Sequence, residues 1–309
     1  MGTVFSDEEK APVTVMVEKG DTLSSVADKL EEAGVIESSA LFNLKARAEG
    51  ETTEIKPGEY QFLPGEEGDE ILKALANGDS VSRVEVTIPE GLTLKQTAGI
   101  ICEETGIPTE EIETAAKETD YGYAFLGDPK IQTTEGFLFP KKYEFEQDVD
   151  ARQVIDRLLK QYLVETKDLD FKGAEKRLNL TEYELVTLAS LVEREAANDE
   201  ERPLVASVIY NRIRQKMPLQ VDATVQYALG ESKKNLSLDD LKVDSPYNTY
   251  KSTGLPPGPI ASPSRESIRA ALAPAKTDYL YYVLQADGKE HFFTDDYEEF
   301  LEAKREAER

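Results

Sequence analysis

The sequence contains few of the side chains that bind metals or form disulfides. Its 309 residues include one cysteine, Cys102, one histidine, His291, and no tryptophan. A single cysteine excludes an internal disulfide, and one cysteine with one histidine cannot form the usual zinc cluster. One histidine also argues against a Ser-His-Asp triad. We therefore expect no metal and no cofactor, so any catalysis must depend on carboxylates, hydroxyls or amides.

Basic residues are also scarce, with 36 Lys and Arg against 61 Asp and Glu, and the formal net charge is −25. This imbalance opposes binding to nucleic acid or to an anionic membrane surface, whereas a neutral glycan remains compatible. No apolar run approaches the roughly 18 to 20 residues of a membrane span, and residues 1–10 lack the hydrophobic core of a signal peptide. The sequence predicts a soluble chain whose 39% hydrophobic content suits two domains or one large one.

The segment from 181 to 230 has a clear helical pattern. Thr181 is a candidate N-cap with Glu184 three residues further on, and Pro203 opens a second helix. The apolar residues of the first helix recur at helical spacing: Leu185, Leu188, Ala189, Val192 and Ala196. The pattern predicts a helix-loop-helix unit whose first helix ends with two glutamates.

These two glutamates, Glu193 and Glu195, project roughly 200° apart on a helix, at opposite borders of its apolar stripe. A carboxyl at such a border is partly desolvated, which raises its pKa and keeps it protonated near neutral pH, as a general acid requires. Periodicity does not decide which of the two has this role. Taken alone, the helix pattern favours two solvated surface glutamates, because charged side chains are seldom buried.

Five ordered blocks of sequence, beginning in this helix, resemble one known family. They are ASLVERE (189–195), VASVIYNR (205–212), LQVDATVQY (219–227), SPYNTY (245–250) and GLPPGPI (254–260). They resemble the MltG (YceG-like) family of lytic transglycosylases, whose helix ends in Ala-Ser-hydrophobic-hydrophobic-Glu-basic-Glu. EGFLFP (135–140) resembles a further family block, but Lys141-Lys142-Tyr143 follows it where the family has Asp-Thr-Tyr. We therefore assign this block only a packing role.

The resemblance implies roles for particular residues. Glu195 falls where the family has its catalytic acid, so it is the candidate catalytic residue. The candidate substrate-binding residues are Gln220, Asp222, Thr224, Tyr227, Tyr247, Asn248, Thr249 and Tyr250. Without the resemblance, Gln220 and Asp222 before a short helix are equally consistent with helix capping.

The N-terminal part of the chain contains an internal repeat. Two strand-turn-helix units share one spacing of apolar residues, a glycine and a capping threonine. The matching positions are Val13, Val15, Val17, Gly20 and Thr22, and then Val84, Val86, Ile88, Gly91 and Thr93. The turn EKGDTL (18–23) resembles the opening of a LysM domain, a small βααβ glycan-binding fold, with 58–62 as its closing strand. A purely structural domain is equally consistent with this pattern.

We predict an α+β protein in which a LysM-like N-terminal region precedes a lysozyme-related mixed helical catalytic domain. The predicted divisions are 1–10, a disordered or replacement start; 11–130, the LysM-like region; and 131–309, the catalytic domain. Strand patterns at 279–284 and 291–294 flank Asp287-Gly288 and predict a C-terminal β-hairpin.

The resemblance implies an endolytic lytic transglycosylase that cleaves the MurNAc–GlcNAc bond of peptidoglycan strands without water. It would leave 1,6-anhydro ends and terminate nascent strands. The expected partners are glycan strands and cell-wall synthases, and not nucleic acid. The family further implies anchoring to the outer face of the bacterial cytoplasmic membrane by an N-terminal helix, with the present sequence as a soluble ectodomain. Two alternatives remain: a glycan-binding scaffold, and a lysozyme-type hydrolase with Asp222 as second carboxylate.

Overall fold

The structure, a computed structural model, describes residues 11–48, 55–78, 83–147, 149–231, 233 and 236–307. The chain forms two compact units. One comprises Met1–Val84 with Glu146–Asp148, and the other comprises Glu85–Phe145 with Val149–Arg309. This division falls ahead of residue 130, where the sequence predicts the end of the LysM-like region. The second copy of the repeat accounts for the difference, because its helix belongs to the second unit.

The first unit contains a two-stranded antiparallel sheet with helices between and after its strands. Val15 pairs with Tyr60 at the middle of the sheet, and both side chains are buried with Leu30 and Leu72 in one core. Its elements are β1 (Val13–Val17), α1 (Leu23–Glu32), α2 (Ser39–Ala48), β2 (Gly58–Phe62) and α3 (Gly68–Asn77). The β-α-α-β order and the strand at 58–62 are as predicted, while the LysM-like assignment stays a prediction.

The second unit is mainly helical and carries two small sheets, so the chain as a whole is a mixed α and β protein. Its first elements are most of β3 (Arg83–Thr87), α4 (Leu94–Thr105), α5 (Thr109–Lys117), most of β4 (Lys142–Glu146), α6 (Ala151–Thr166) and α7 (Phe171–Leu178). The remaining elements are α8 (Glu182–Glu195), α9 (Arg202–Arg214), α10 (Asp222–Leu229), α11 (Arg265–Leu272), β5 (Tyr281–Leu284), β6 (His291–Thr294) and α12 (Tyr297–Ala307). Strands β5 and β6 form the predicted hairpin.

Helix α8 lies at the centre of the second unit. Almost every residue from Tyr183 to Val192 is buried, including Thr187 and Ser190, because α9 and α11 pack against it. A helix that is buried on all sides needs no solvent-facing polar stripe. Thr181 caps its first turn and forms the predicted capping box with Glu184. The helix is thus fixed at its start and along its length.

The two helices of the repeat begin in the same way. Thr22 caps α1 and Thr93 caps α4, each through a reciprocal capping box. The first helix is followed by Gly34 and the second ends at Gly106, both with positive φ. Both helices therefore have the threonine cap and the nearby glycine that the sequence pattern predicts.

Within the described ranges, none of the helices combines the length and the apolar character that crossing a membrane requires.

Candidate active site

The two glutamates at the end of α8 have different surroundings. The Glu193 side chain is 7% exposed and pairs with Arg202, whose Nη1 lies 3.0 Å from its Oε2. The same oxygen accepts hydrogen bonds from the backbone N–H of Ser264 at 2.9 Å and from its hydroxyl at 2.5 Å. All of these partners lie on α9 or at the start of α11. Glu193 therefore ties three helices together and is occupied by structural contacts.

Glu195, by contrast, is partly exposed and meets a tyrosine from the C-terminal hairpin. The Tyr282 hydroxyl donates a hydrogen bond of 2.8 Å to its Oε2. Burial of the carboxyl raises the pKa of Glu195 to about 7, and the negative charge of Asp222 acts in the same direction. The Tyr282 hydroxyl, Arg194 and the backbone N–H of Ala223 oppose this rise. Near neutral pH the carboxyl therefore exists in both acid and base forms.

Two polar side chains of α9 hold the strand that carries Tyr282. The Arg212 guanidinium is buried and donates to the carbonyls of Leu280 and Leu219, both at 2.7 Å. The Asn211 side-chain amide donates to the carbonyl of Tyr279 at 2.9 Å. These bonds fix the chain just before β5, which places the Tyr282 hydroxyl opposite the end of α8. The block VASVIYNR therefore contributes to the site by positioning the strand that carries Tyr282.

The other strand of the hairpin supports the Tyr282 ring. His291 packs edge-on against this ring with a centroid distance of 5.3 Å. Its backbone N–H donates to one oxygen of the buried Glu201 at 2.6 Å, and its Nδ1 lies 2.7 Å from the other. His291 therefore acts as a positioning residue for the hairpin.

Five of the eight predicted substrate-binding residues have surface exposure. Asp222 is exposed and accepts a hydrogen bond of 2.5 Å from the Tyr250 hydroxyl. The rings of Tyr227 and Tyr247 are 4.7 Å apart. Gln220 is exposed and has a positive φ of 53°. The Asp222 charge acts on the Glu195 carboxyl, so α10 and the loop bearing Tyr250 border the same site.

The remaining three residues, Thr224, Asn248 and Thr249, are at most 1% exposed. The hydroxyls of Thr224 and Thr249 lie 2.9 Å apart, and Thr249 also accepts from the backbone N–H of Val221. The Asn248 amide donates to the carbonyls of Leu241 and Val243 at 3.0 and 2.9 Å. Their polar atoms bond within the protein, which favours a role in holding the loop against α10.

A cavity of about 610 Å³ lies next to Glu195. Arg194 and Ala223 line it, and the Ala223 N–H also hydrogen-bonds the Glu195 carboxyl. The remaining lining residues are Thr93, Leu94, Lys95, Gln96, Glu113, Lys117, Thr133, Glu135, Gln226, Tyr227, Gly230, Glu231 and Ile260. Two residues that act on the candidate catalytic carboxyl, Arg194 and Ala223, are therefore also part of the cavity lining.

Glu135, a lining residue that is only 6% exposed, carries a second carboxyl of raised pKa. Burial raises the pKa of Glu135 to about 7, although hydrogen bonds to its carboxyl act in the opposite direction. The backbone N–H of Leu94 donates to its two oxygens at 2.9 and 3.0 Å, and the Tyr227 hydroxyl donates at 3.3 Å. This buried carboxyl was not predicted, because the sequence of the block EGFLFP indicates packing alone.

The packing role of this block is nevertheless confirmed, since Phe137, Leu138 and Phe139 are at most 7% exposed. Gly136 has a φ of 85°, and a Cβ there would lie 2.5 Å from Pro259. Only glycine fits this close approach with this backbone conformation. This contact packs EGFLFP against GLPPGPI, and Glu135 and Ile260 of the two motifs both line the cavity.

A carboxyl whose pKa lies near neutrality can act as general acid and then as general base while a glycosidic bond is broken, and a residue that changes from acid to base is known among glycosidases. Comparison with known families agrees with that class. The model of the YceG-like family matches residues 15–306. The chain therefore belongs to the YceG-like family.

Several relatives carry a functional name. A protein of Bacillus subtilis named "Endolytic murein transglycosylase" is 36% identical over 96% of this chain and 85% of its own length. A protein of the same name from Streptococcus pneumoniae is 33% identical over 92% of this chain, which spans 56% of that relative's length. A crystal structure of a yceG-like protein from Listeria monocytogenes covers 95% of this chain at 32% identity, with a TM-score of 0.65.

Proposed function

We propose that the chain is an endolytic lytic transglycosylase that cleaves the MurNAc–GlcNAc bond of peptidoglycan strands. The observation that carries the proposal is the carboxyl of Glu195, whose pKa is raised to about 7 by burial at the end of a rigid helix. The name shared by the Bacillus and Streptococcus relatives supports murein, that is peptidoglycan, as the substrate.

In the proposed reaction, protonated Glu195 donates its proton to the oxygen that joins the two sugars. The bond between that oxygen and C1 of MurNAc breaks as an oxocarbenium-like centre develops. The Glu195 carboxylate then accepts the proton of the C6 hydroxyl of the same sugar, and O6 bonds to C1. Because this hydroxyl is tethered to the reacting ring, its effective molarity can exceed that of water. The product is a 1,6-anhydro end, and no water is consumed.

The surroundings of Asp222 favour this route over hydrolysis with Asp222 as nucleophile. The Tyr250 hydroxyl donates to its Oδ1, and the residue is exposed. Its charge raises the pKa of Glu195, which preserves the acid form that the first step needs. A pure glycan-binding scaffold would have no use for a carboxyl held near the midpoint of its titration.

Two finer proposals follow from the endolytic name of the relatives. Cutting within a strand ends its growth, so we propose that the enzyme terminates nascent strands and meets cell-wall synthases there. We also propose that it works at the outer face of the cytoplasmic membrane, where such strands are made. The LysM-like assignment of the first unit belongs to the same proposal, as a second contact with glycan.

Digestion of purified peptidoglycan in oxygen-18 water tests the proposed chemistry. Mass spectrometry of the new MurNAc ends should find unlabelled anhydro ends, lighter than hydrolysed ends by one water. Asp222→Asn should lower activity without changing this product. Reducing ends that carry oxygen-18 would show that the protein is a hydrolase. The absence of new ends would favour a glycan-binding scaffold.

A further inference from the structure

The 610 Å³ cavity beside Glu195 has the character of a binding site for a small neutral group. Its volume falls within the ~300–1,000 Å³ that small-molecule sites occupy. Leu94, Ala223 and Ile260 provide apolar wall, and the ring of Tyr227 provides an aromatic face. Such a mixture of apolar wall with a few inward polar groups is typical of specific ligand pockets.

Charge around the cavity further restricts its occupant. The basic lining residues are Lys95, Lys117 and Arg194, and the acidic ones are Glu113, Glu135 and Glu231. With Glu135 in its neutral acid form, the three basic and two remaining acidic charges nearly cancel, so the lining gives little field that would draw in an anion or a cation. A neutral sugar fits this lining better than the charged end of a peptide.

Glu135 and Tyr227, which hydrogen-bond each other, are two neighbouring polar residues of the cavity lining. In its acid form a carboxyl offers one O–H donor and further acceptor capacity, which complements the C=O and N–H of an amide. The Leu94 N–H bonds to both oxygens, at 2.9 and 3.0 Å, so the orientation of the group is fixed before any ligand arrives. The apolar wall beside it suits a methyl group. An acetamido group combines this amide with this methyl.

We propose that the cavity is a subsite of the glycan cleft that binds the acetamido group of the N-acetylated sugar next to the scissile bond. The inference rests on the proposed function, and it assigns Glu135 and Tyr227 as specificity-determining residues. Continuity with the reaction comes from Arg194 and Ala223, which line the cavity and also act on the Glu195 carboxyl. A sugar bound here is therefore a neighbour of the bond that Glu195 protonates.

Binding measured without cleavage tests the subsite. Calorimetry in the Glu195→Gln background would compare chitohexaose with cellohexaose, two neutral β-1,4 oligomers that differ at C2 by acetamido against hydroxyl. The protein should prefer chitohexaose by at least ~10-fold, because a site built to bond a ligand group rejects the analogue that lacks it. Adding Glu135→Leu should abolish this preference. Glu135→Gln, which keeps a donor and an acceptor, should retain it.

Glu182 supplies a matched control. It is a half-buried glutamate in the first turn of α8, and the Tyr162 hydroxyl donates to it at 3.5 Å, much as Tyr227 donates to Glu135. It lies outside the lining of the cavity. Glu182→Leu should therefore leave the preference for chitohexaose unchanged.

A second measurement does not depend on the folding of the Glu135→Leu variant. In methyl-labelled Glu195→Gln protein, nuclear Overhauser effects should connect the acetyl methyl protons of chitohexaose with Ile260. The subsite would be overturned if the acetyl groups contact only other residues, or if the preference for chitohexaose survives Glu135→Leu. Glu135 would then serve only to accept the Leu94 N–H at the start of α4. Wild-type protein that produces no new glycan ends would overturn the proposed function instead.

Discussion

Removing the Tyr282 hydroxyl should change the pH dependence of the reaction. This hydroxyl donates to Glu195 at 2.8 Å and stabilises the carboxylate, which lowers the pKa of Glu195 against the effect of burial. A hydrogen bond to a charged group contributes ~1.5–3 kcal/mol, and one pKa unit corresponds to ~1.4 kcal/mol. Tyr282→Phe should therefore raise the pKa of Glu195 by ~1–2 units above about 7.

The sign of the change in activity follows from the acid role. Cleavage needs protonated Glu195, so the activity of the wild type should fall as the pH rises through about 7. In Tyr282→Phe this fall should move to higher pH by the same ~1–2 units. The rate on the acidic plateau should decrease, because an acid of higher pKa transfers its proton less readily.

Initial rates of anhydro-end formation between pH 5 and 10, on one glycan preparation, would measure the shift. Carbon-13 NMR titration of the Glu195 carboxyl would give the same pKa without turnover. Tyr281→Phe is the matched control, because that neighbouring ring packs 5.4 Å from Tyr297 and 5.3 Å from Phe300 of α12. If the pKa of Glu195 in Tyr282→Phe is unchanged or lower than in the wild type, the assigned hydrogen bond is refuted.

Three further outcomes are expected. Glu195→Gln should abolish cleavage and leave the melting temperature nearly unchanged. Glu193→Gln should retain cleavage and lower the melting temperature, because it weakens the ion pair with Arg202. Thermal melts and product assays would compare the two variants, and the reverse pattern would exchange the roles of the two glutamates. Because the pKa of Glu135 is raised in the folded state, its contribution to stability is complete below about pH 4.5 and is lost as the pH rises to about 7. Between pH 4.5 and 8 the free energy of unfolding of Glu135→Gln, measured with urea, should therefore rise relative to that of the wild type by up to ~3 kcal/mol. A difference between the two proteins that does not change with pH would contradict the burial of this carboxyl. Activity should survive saturating chelator, and loss that zinc restores would mean that a metal takes part.

Local signals in the sequence account for most of the secondary structure near the site. The Thr181 cap, the apolar spacing of α8 and the turn of the hairpin each act within a few residues, so the sequence predicts them well. Helix α7 was not predicted because it has only eight residues, about two turns, and only Ala174 among them is buried. Its first turn is capped by Asp170, whose side chain accepts a hydrogen bond from the backbone N–H of Gly173 at 2.9 Å.

The partners of the site could not be predicted in the same way. Tyr282 lies 87 residues from Glu195, and Tyr227 lies 92 residues from Glu135. No periodicity reports which tyrosine of a strand will meet a carboxyl so distant in the chain. Motif blocks also mix residues that hold the loop with residues that border the cleft. The buried Thr224 and Thr249 therefore could not be separated from the exposed Asp222 by sequence alone.

The length of helix α8 determines where the Glu195 carboxyl lies. Its first turn is fixed by the Thr181 cap, its middle is enclosed by α9 and α11, and Glu195 is the last of its fourteen residues. One inserted residue would advance the carboxyl by ~1.5 Å and rotate it by ~100°, away from Tyr282. Surface loops of this unit can change in length at little cost, whereas the number of residues between Thr181 and Glu195 is part of the catalytic geometry.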